Sequence, residues 1–141
     1  MKISSRFRYG LRLLIDLAMK YEKGPLLLKD IAECEKISKK YLEQIVISLK
    51  NAGMIRATRG FKGGYYLAKP PEEIKIIDVY KLLEGSFAPV ECLDDPDICS
   101  LIDNCPSRAL WAKLGDAIKK TFENLTLENL KKTWWCMDEK T

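Results

Sequence analysis

The chain has 141 residues, with 24 Lys and Arg against 20 Asp and Glu, five Cys and no His. That length is one domain's worth, and the missing His excludes a Ser-His-Asp triad, a Cys-His dyad and His-ligated zinc. No apolar run approaches the ~20 residues of a membrane span. The basic start, Met1–Arg6, is not read as a signal peptide, because Arg12 and Asp16 break the apolar run behind it. The chain is therefore expected in the cytoplasm.

Taken in order, residues 5–21 read as a helix, with Tyr9, Leu13, Leu17 and Tyr21 at four-residue spacing and Leu14 and Ala18 widening the apolar face. Ser4 or Ser5 caps its start, and Gly24-Pro25 ends it. Residues 28–34 form a short second helix with Leu28, Ile31 and Ala32 on one face. After a tight turn, Ser38 caps a third helix running to about Ala52. Ile37 and Leu42 fit a hydrophobic staple, Leu42, Ile45, Val46 and Leu49 its buried face, and Gly53 its stop.

Residues 54–58 and 64–68 read as two strands around the glycine-rich turn Arg59–Gly63. Residues 74–84 read as a fourth helix burying Ile74, Ile77, Val79, Tyr80 and Leu83, stopped by Gly85. Residues 86–104 have no period and hold five acids, Pro89 and Pro96, hence a loop. Pro106 opens a long helix to about Leu125. Its residues Trp111, Leu114, Ile118, Thr121 and Leu125 make a coiled-coil-like seam, which needs a partner. A short terminal segment from Thr126 or Leu127 ends in Trp134-Trp135.

The charge is split. Up to Lys69 there are 15 basic and 6 acidic residues, a net of +9; the remainder carries 9 and 14, a net of −5. A strongly basic half points to a polyanionic partner. The order helix, turn, helix, hairpin is that of a winged helix-turn-helix, whose second helix of the pair enters the major groove. The third helix would then be the recognition helix, presenting Lys39, Lys40, Tyr41, Glu43 and Gln44. Gln pairs with adenine, Glu accepts from cytosine, and Lys takes guanine or phosphate. Ser38 and the helix amides suit a phosphate, and Arg59 suits a narrow minor groove. The alternative is a solvated face on a protein-binding winged-helix adaptor. An enzyme reading finds no nucleophile–base pair.

Cys92, Cys99 and Cys105 lie in the acidic loop as C-x6-C-x5-C. The pattern lacks the C-x2-C knuckles of a zinc site. Soft thiolates suit an iron–sulfur cluster, which takes four ligands as a rule. Small buried hydrophobes and a thiol–disulfide switch are the other readings. Without a secretory signal, a metal or redox role outranks a disulfide framework. Cys34 is expected to be buried, and Cys136 to be a surface thiol or a distant ligand.

Four motifs together carry a resemblance over nearly the whole chain. They are Ile37-Ser38-x-x-Tyr41-Leu42-Glu43-Gln44, Arg59-Gly60-x-x-Gly63-Gly64-Tyr65-x-Leu67, the three spaced cysteines, and Ala109-Leu110-Trp111. The chain resembles the Rrf-type winged helix-turn-helix transcription regulators and, within them, the IscR-type iron–sulfur cluster regulators. The resemblance implies a homodimer on a near-palindromic site in double-stranded promoter DNA, with the long helix paired across the two-fold. It implies that Tyr41, Glu43, Gln44 and Arg59 contact DNA, with Lys40 beside them. It implies Cys92, Cys99 and Cys105 as ligands of a labile cluster, 2Fe–2S in preference to 4Fe–4S, and control of cluster-assembly genes. The alternative is a thiol-switch or partner-controlled regulator of cysteine and sulfur metabolism without a cluster.

The sequence departs from the pattern in three places. The first cysteine gap is six residues rather than five. Arg108 stands where these regulators have a histidine ligand, and Arg8 where nitric-oxide-sensing relatives have a carboxylate. Asp103, Glu91, Cys136, a partner-subunit group or water are open as replacements. The expected fold is mainly α with a β-hairpin wing. It divides into a winged helix-turn-helix (1–70), a connecting helix (71–85), a cluster-binding loop (86–105) and a dimerisation helix with tail (106–141).

Overall fold

Ser4 starts the first helix as a true cap: its Oγ accepts the Phe7 N–H at 3.2 Å. Its own N–H donates to the Glu84 carboxylate at 3.2 Å, which ties this end to the end of the fourth helix. The structure is a computed structural model and describes residues 2–131 and 135–137. The elements are α1 (Ser5–Met19), α2 (Leu28–Glu35), α3 (Lys39–Asn51), β1 (Ile55–Thr58), β2 (Gly64–Leu67), α4 (Ile76–Leu83) and α5 (Arg108–Glu123). Trp134, half of the expected Trp pair, lies outside the described residues.

Leu13, Leu14, Leu17 and Ala18 bury the apolar face of α1, with Tyr9 and Tyr21 half-buried at its edges. The helix stops at Met19 rather than Tyr21. Lys20 and Tyr21 tighten into i→i−3 bonds onto Leu17 and Ala18, and Glu22 then turns to φ 65°. Gly10 sits at a contact between helices: a Cβ there would run into Leu83 and stand 3.2 Å from Ile45 Cγ2. α1 therefore packs almost backbone-close on α3 and α4.

α2 ends on Lys36 in the left-handed region, φ 56°. Ser38 Oγ then accepts the Tyr41 N–H at 3.3 Å and starts α3. Leu42, Ile45, Val46 and Leu49 are all buried, as their spacing predicts. Each such Leu contributes about 1.5–3 kcal/mol on leaving water.

β1 and β2 pair antiparallel, from Ile55 with Leu67 to Thr58 with Gly64. The hairpin is fastened to the α1–α2 connection, where Leu26 and Tyr65 exchange N–H···O bonds of 2.9 and 2.8 Å. Gly64 makes that junction possible. It holds φ 144°, and a Cβ would collide with the Leu26 carbonyl.

Two helix starts differ from the sequence expectation. α4 begins at Ile76, not Ile74, because residues 74–76 pair with the chain after α5. Ile76 N–H donates to the Leu125 carbonyl at 2.9 Å, and Leu127 N–H to the Ile74 carbonyl at 3.0 Å. α5 begins at Arg108, not Pro106; the first carbonyl it uses is that of Ser107, accepting from Trp111 N–H at 3.2 Å. The aperiodic stretch before it holds three one-turn 3-10 helices, Glu91–Leu93, Pro96–Ile98 and Ile102–Asn104.

Phe7, Tyr80, Phe87 and Phe122 stack and tilt together at centroid distances of 4.6–5.9 Å, joining α1, α4, the following loop and α5. Otherwise α5 is poorly covered. Gly115 is its one buried residue, and Leu110 and Leu114 are 57% and 37% exposed. Beyond α5 the chain returns to the core through Leu127, Trp135 and Met137, all buried. The architecture is a winged helix-turn-helix followed by two further helices.

Candidate nucleic-acid interface and cysteine sites

The cap at Ser38 aims the start of α3 outward. Ser38, Lys39, Lys40, Glu43 and Gln44 are exposed there, and Tyr41 is half-buried. Tyr41 is held edge-on against Tyr9 at 5.8 Å, with its hydroxyl 3.3 Å from Ser5 Oγ. Its ring therefore braces α3 against α1. Lys39 Nζ lies 4.0 Å from Glu43, a solvated i,i+4 pair that adds little stability.

Arg59 stands exposed at the hairpin tip. The fold brings it to the same cleft as Lys39 and Glu43, about 540 Å³ between α3 and the wing. Lys29 of α2 also lines that cleft. Sequence reasoning missed Lys29 because it assigned DNA contact to the recognition helix and wing alone. Three cations around one groove are suited to a phosphate backbone.

The acidic loop sets each cysteine at a one-turn helix. Cys92 lies inside the first and is half-buried; Cys99 follows the second and is exposed; Cys105 follows the third and is half-buried. Cys105 Sγ lies 3.3 Å from Ser107 Oγ. That contact, backbone N–H groups of Ser107 and Arg108, and the Arg108 charge lower its thiol pKa below the usual 9.0. Arg108 also reaches the Cys92 carbonyl at 3.5 Å, while its buried Nε has no hydrogen-bond partner.

The donor chemistry leaves the fourth position of an iron–sulfur ligand set open. Three thiols are suitable donors, but the fourth position of the resembling pattern is a guanidinium, which has no lone pair to give. Among the described residues, the metal-ligating side chains whose atoms gather within 4.8 Å of one another are Cys34, Glu35 and Cys136, not the loop cysteines.

That gathering corrects two expectations. Cys34 is half-buried rather than buried, and it is joined to Cys136 by a disulfide with Cα atoms 5.8 Å apart. The pair is separated by 102 residues in sequence, so no local spacing signals it.

Comparison with known proteins agrees with this architecture. The Rrf2 family, described as "Iron-dependent Transcriptional regulator", matches residues 3–133. The transcriptional regulator CymR of Bacillus subtilis is 42% identical over 92% of this chain and 89% of its own length. Its solved structure, of the global cysteine regulator, superposes with a TM-score of 0.77 over 92% of this chain and 95% of that one. The oxidized form of Staphylococcus aureus CymR gives 0.78 at 42% identity, covering 95% and 98%. T. potens IscR gives 0.74 at 32% identity, covering 92% and 85%. The chain belongs to the Rrf2 family of transcriptional regulators.

Proposed function

We propose that this regulator binds double-stranded DNA as a homodimer and that thiol chemistry, rather than a bound cluster, controls its affinity for promoters of cysteine and sulfur metabolism. The observation that carries the thiol reading is the setting of Cys105. Its Sγ lies 3.3 Å from Ser107 Oγ, the contact that most lowers its pKa, and Arg108 adds a cation where the resembling cluster regulators have a ligand. A thiolate-stabilising neighbour favours reaction with oxidants and disulfides. The 42% identity to CymR, over nearly the full length of both chains, supports the metabolic assignment.

On this reading Ser38, Lys39, Lys40, Tyr41, Glu43, Gln44 and Arg59 meet the DNA, joined by Lys29. The exposure of Leu110 and Leu114 on α5 supports a second copy seated there; a dimer so formed would read successive turns of a near-palindromic site in the cytoplasm with its two recognition helices.

The test is selection from random duplexes of about 30 bp, followed by titration of reduced and peroxide-treated protein. A dyad-symmetric site whose affinity changes with thiol state is the expected result. Equal affinity in both states would defeat the thiol reading. The three cysteines in one loop favour a second reading, a labile iron–sulfur cluster. Anaerobic reconstitution that yields stoichiometric iron and sulfide, lost in Cys92→Ala, Cys99→Ala or Cys105→Ala, would establish it instead.

A further inference from the structure

We infer that Cys34 and Cys136 form a redox-operated strap that fastens the C-terminal tail across the helix-turn-helix, next to the end of α2 that leads into the recognition helix and to the wing. This inference concerns a different pair of thiols from the acidic loop, and it rests on the DNA-binding reading for its last readout only.

The placement of the two residues carries the argument. Cys34 lies in the last turn of α2, four residues before the cap of α3. Cys136 lies in the tail, beyond α5. The bond therefore closes a loop that contains the recognition helix, the wing, α4, the acidic loop and α5. Their Cα separation of 5.8 Å is within the ordinary disulfide range. Both residues are only half-buried, so small oxidants and reductants reach them.

The tail is built to dock there. Trp135 and Met137, on either side of Cys136, are 6% and 5% exposed. Trp135 Nε1 donates to Asp16 Oδ1 at 2.8 Å, and Asp16 is wholly buried on α1. Cys136 thus lies between two buried residues, one of them bonded to α1. Among the described residues the tail docks through the buried Trp135 and Met137 and through the Trp135–Asp16 hydrogen bond. On this inference covalent closure adds to that docking and sets how firmly the tail is held.

The strap also reaches the wing. Trp135 and Met137 line a cleft of about 450 Å³ whose far wall is Phe61, Lys62 and Gly63 at the hairpin tip. Releasing the tail removes one wall of that cleft and frees the end of α2 that leads into α3. Both changes fall on the parts assigned to DNA contact.

A protein that works on DNA resides in the reducing compartment, where disulfides are usually transient and sensory rather than structural. Closure needs an oxidant, and a hydroperoxide balances the step. One thiolate attacks the O–O bond, forming a sulfenic acid and releasing water or an alcohol. The second thiol attacks that sulfur, the S–O bond breaks, and water leaves as the S–S bond forms. Two thiols lose two electrons and the peroxide gains them. A dithiol reductant reopens the bond by two exchanges.

The experiment uses the full chain, reduced with dithiothreitol or treated with hydrogen peroxide, and reads disulfides by differential alkylation and mass spectrometry. A peptide pair linked through Cys34 and Cys136 is expected after peroxide and absent after reduction. Reduction is also expected to raise trypsin cleavage at Lys131. Affinity for a duplex selected by the protein itself is expected to differ between the two states by at least about fivefold, the low end of usual couplings. Cys136→Ser should abolish that share of the difference which persists when Cys92, Cys99 and Cys105 are all Ser. Comparing the two states of unmutated protein avoids reliance on a variant's folding.

Absence of the linked peptide would overturn the strap, as would affinities equal within twofold in the loop-cysteine triple variant. Stoichiometric uptake of added Zn2+ by Cys34, Glu35 and Cys136, with no disulfide after peroxide, would replace it by a soft-metal site. If the chain selects no duplex at all, the DNA-binding reading fails, while the alkylation and proteolysis results still decide the strap.

Discussion

Cys105 and Arg108 share the approach to α5, so the charge of one bears on the reactivity of the other. The Ser107 hydroxyl contact lowers the Cys105 thiol pKa first, with backbone N–H groups and the Arg108 guanidinium acting in the same direction. A lowered pKa means that the thiolate, the reactive form, appears at lower pH. The rate of Cys105 alkylation by iodoacetamide should therefore rise with pH through a midpoint below 9.0, the ordinary thiol value. Ser107→Ala should move that midpoint upward, and peptide mapping across a pH series reads it directly. An unchanged midpoint would remove Ser107 from the account. On α3, Gln44 is exposed, where a base edge can reach it. Gln44→Ala should cost about 1–3 kcal/mol at one base-pair position and leave others alone, if the contact is bidentate; competition with singly substituted duplexes measures it. These two residues were unequal in the sequence. Gln44 was legible because Ser38 announces the helix start and fixes which side chains follow. The role of Arg108 was legible only as a missing histidine, since its reach to Cys92 depends on how the loop folds back.

At the scale of elements, α5 is, among the described residues, the helix left largely uncovered by its own chain. Its apolar positions recur at 3 and 4, yet besides Phe122 in the aromatic cluster the residue that packs closest is Gly115, with a would-be Cβ 3.0 Å from the Phe87 carbonyl. One side thus lies on the loop after α4, and Leu110 and Leu114 remain outside. Apolar side chains grouped on one helix and left in water are the usual sign of a missing surface. Leu114→Asp should convert a dimer to a monomer in sedimentation, with little change in the far-ultraviolet helix signal. A dimer unaffected by it would move the interface elsewhere. The seam itself was legible because period survives without tertiary information. The starts of α4 and α5 were not. Ile74 and Lys75 look helical in composition, but a distant segment pairs with them: Leu127 N–H donates to the Ile74 carbonyl and Lys75 lies opposite Thr126. Local pattern has no access to a partner so far along the chain. The disulfide between Cys34 and Cys136 was hidden for the same reason.

For the whole molecule, the uneven charge becomes a statement about salt. The half up to Lys69 carries +9 and contains α1–α3 and the wing; the remainder carries −5 and contains the acidic loop and α5. A dimer formed through α5 would present two basic surfaces while keeping its acidic parts near the two-fold. Each protomer offers Lys29, Lys39 and Arg59 around one cleft. If each cation neutralises one phosphate, six counterions leave the duplex per dimer, and log K should fall against log salt with a slope of roughly −5. Affinity should then drop about a thousandfold between 50 and 200 mM salt. Lys39→Ala removes one contact per protomer, so it should flatten the slope by about 2 and weaken all sequences alike. Gln44→Ala should leave the slope unchanged while relaxing one base position, which separates a positioning contact from a reading contact in the same titration. A wild-type slope near zero would show that the basic half faces something other than a nucleic acid. That outcome would return the molecule to the protein-binding winged-helix alternative.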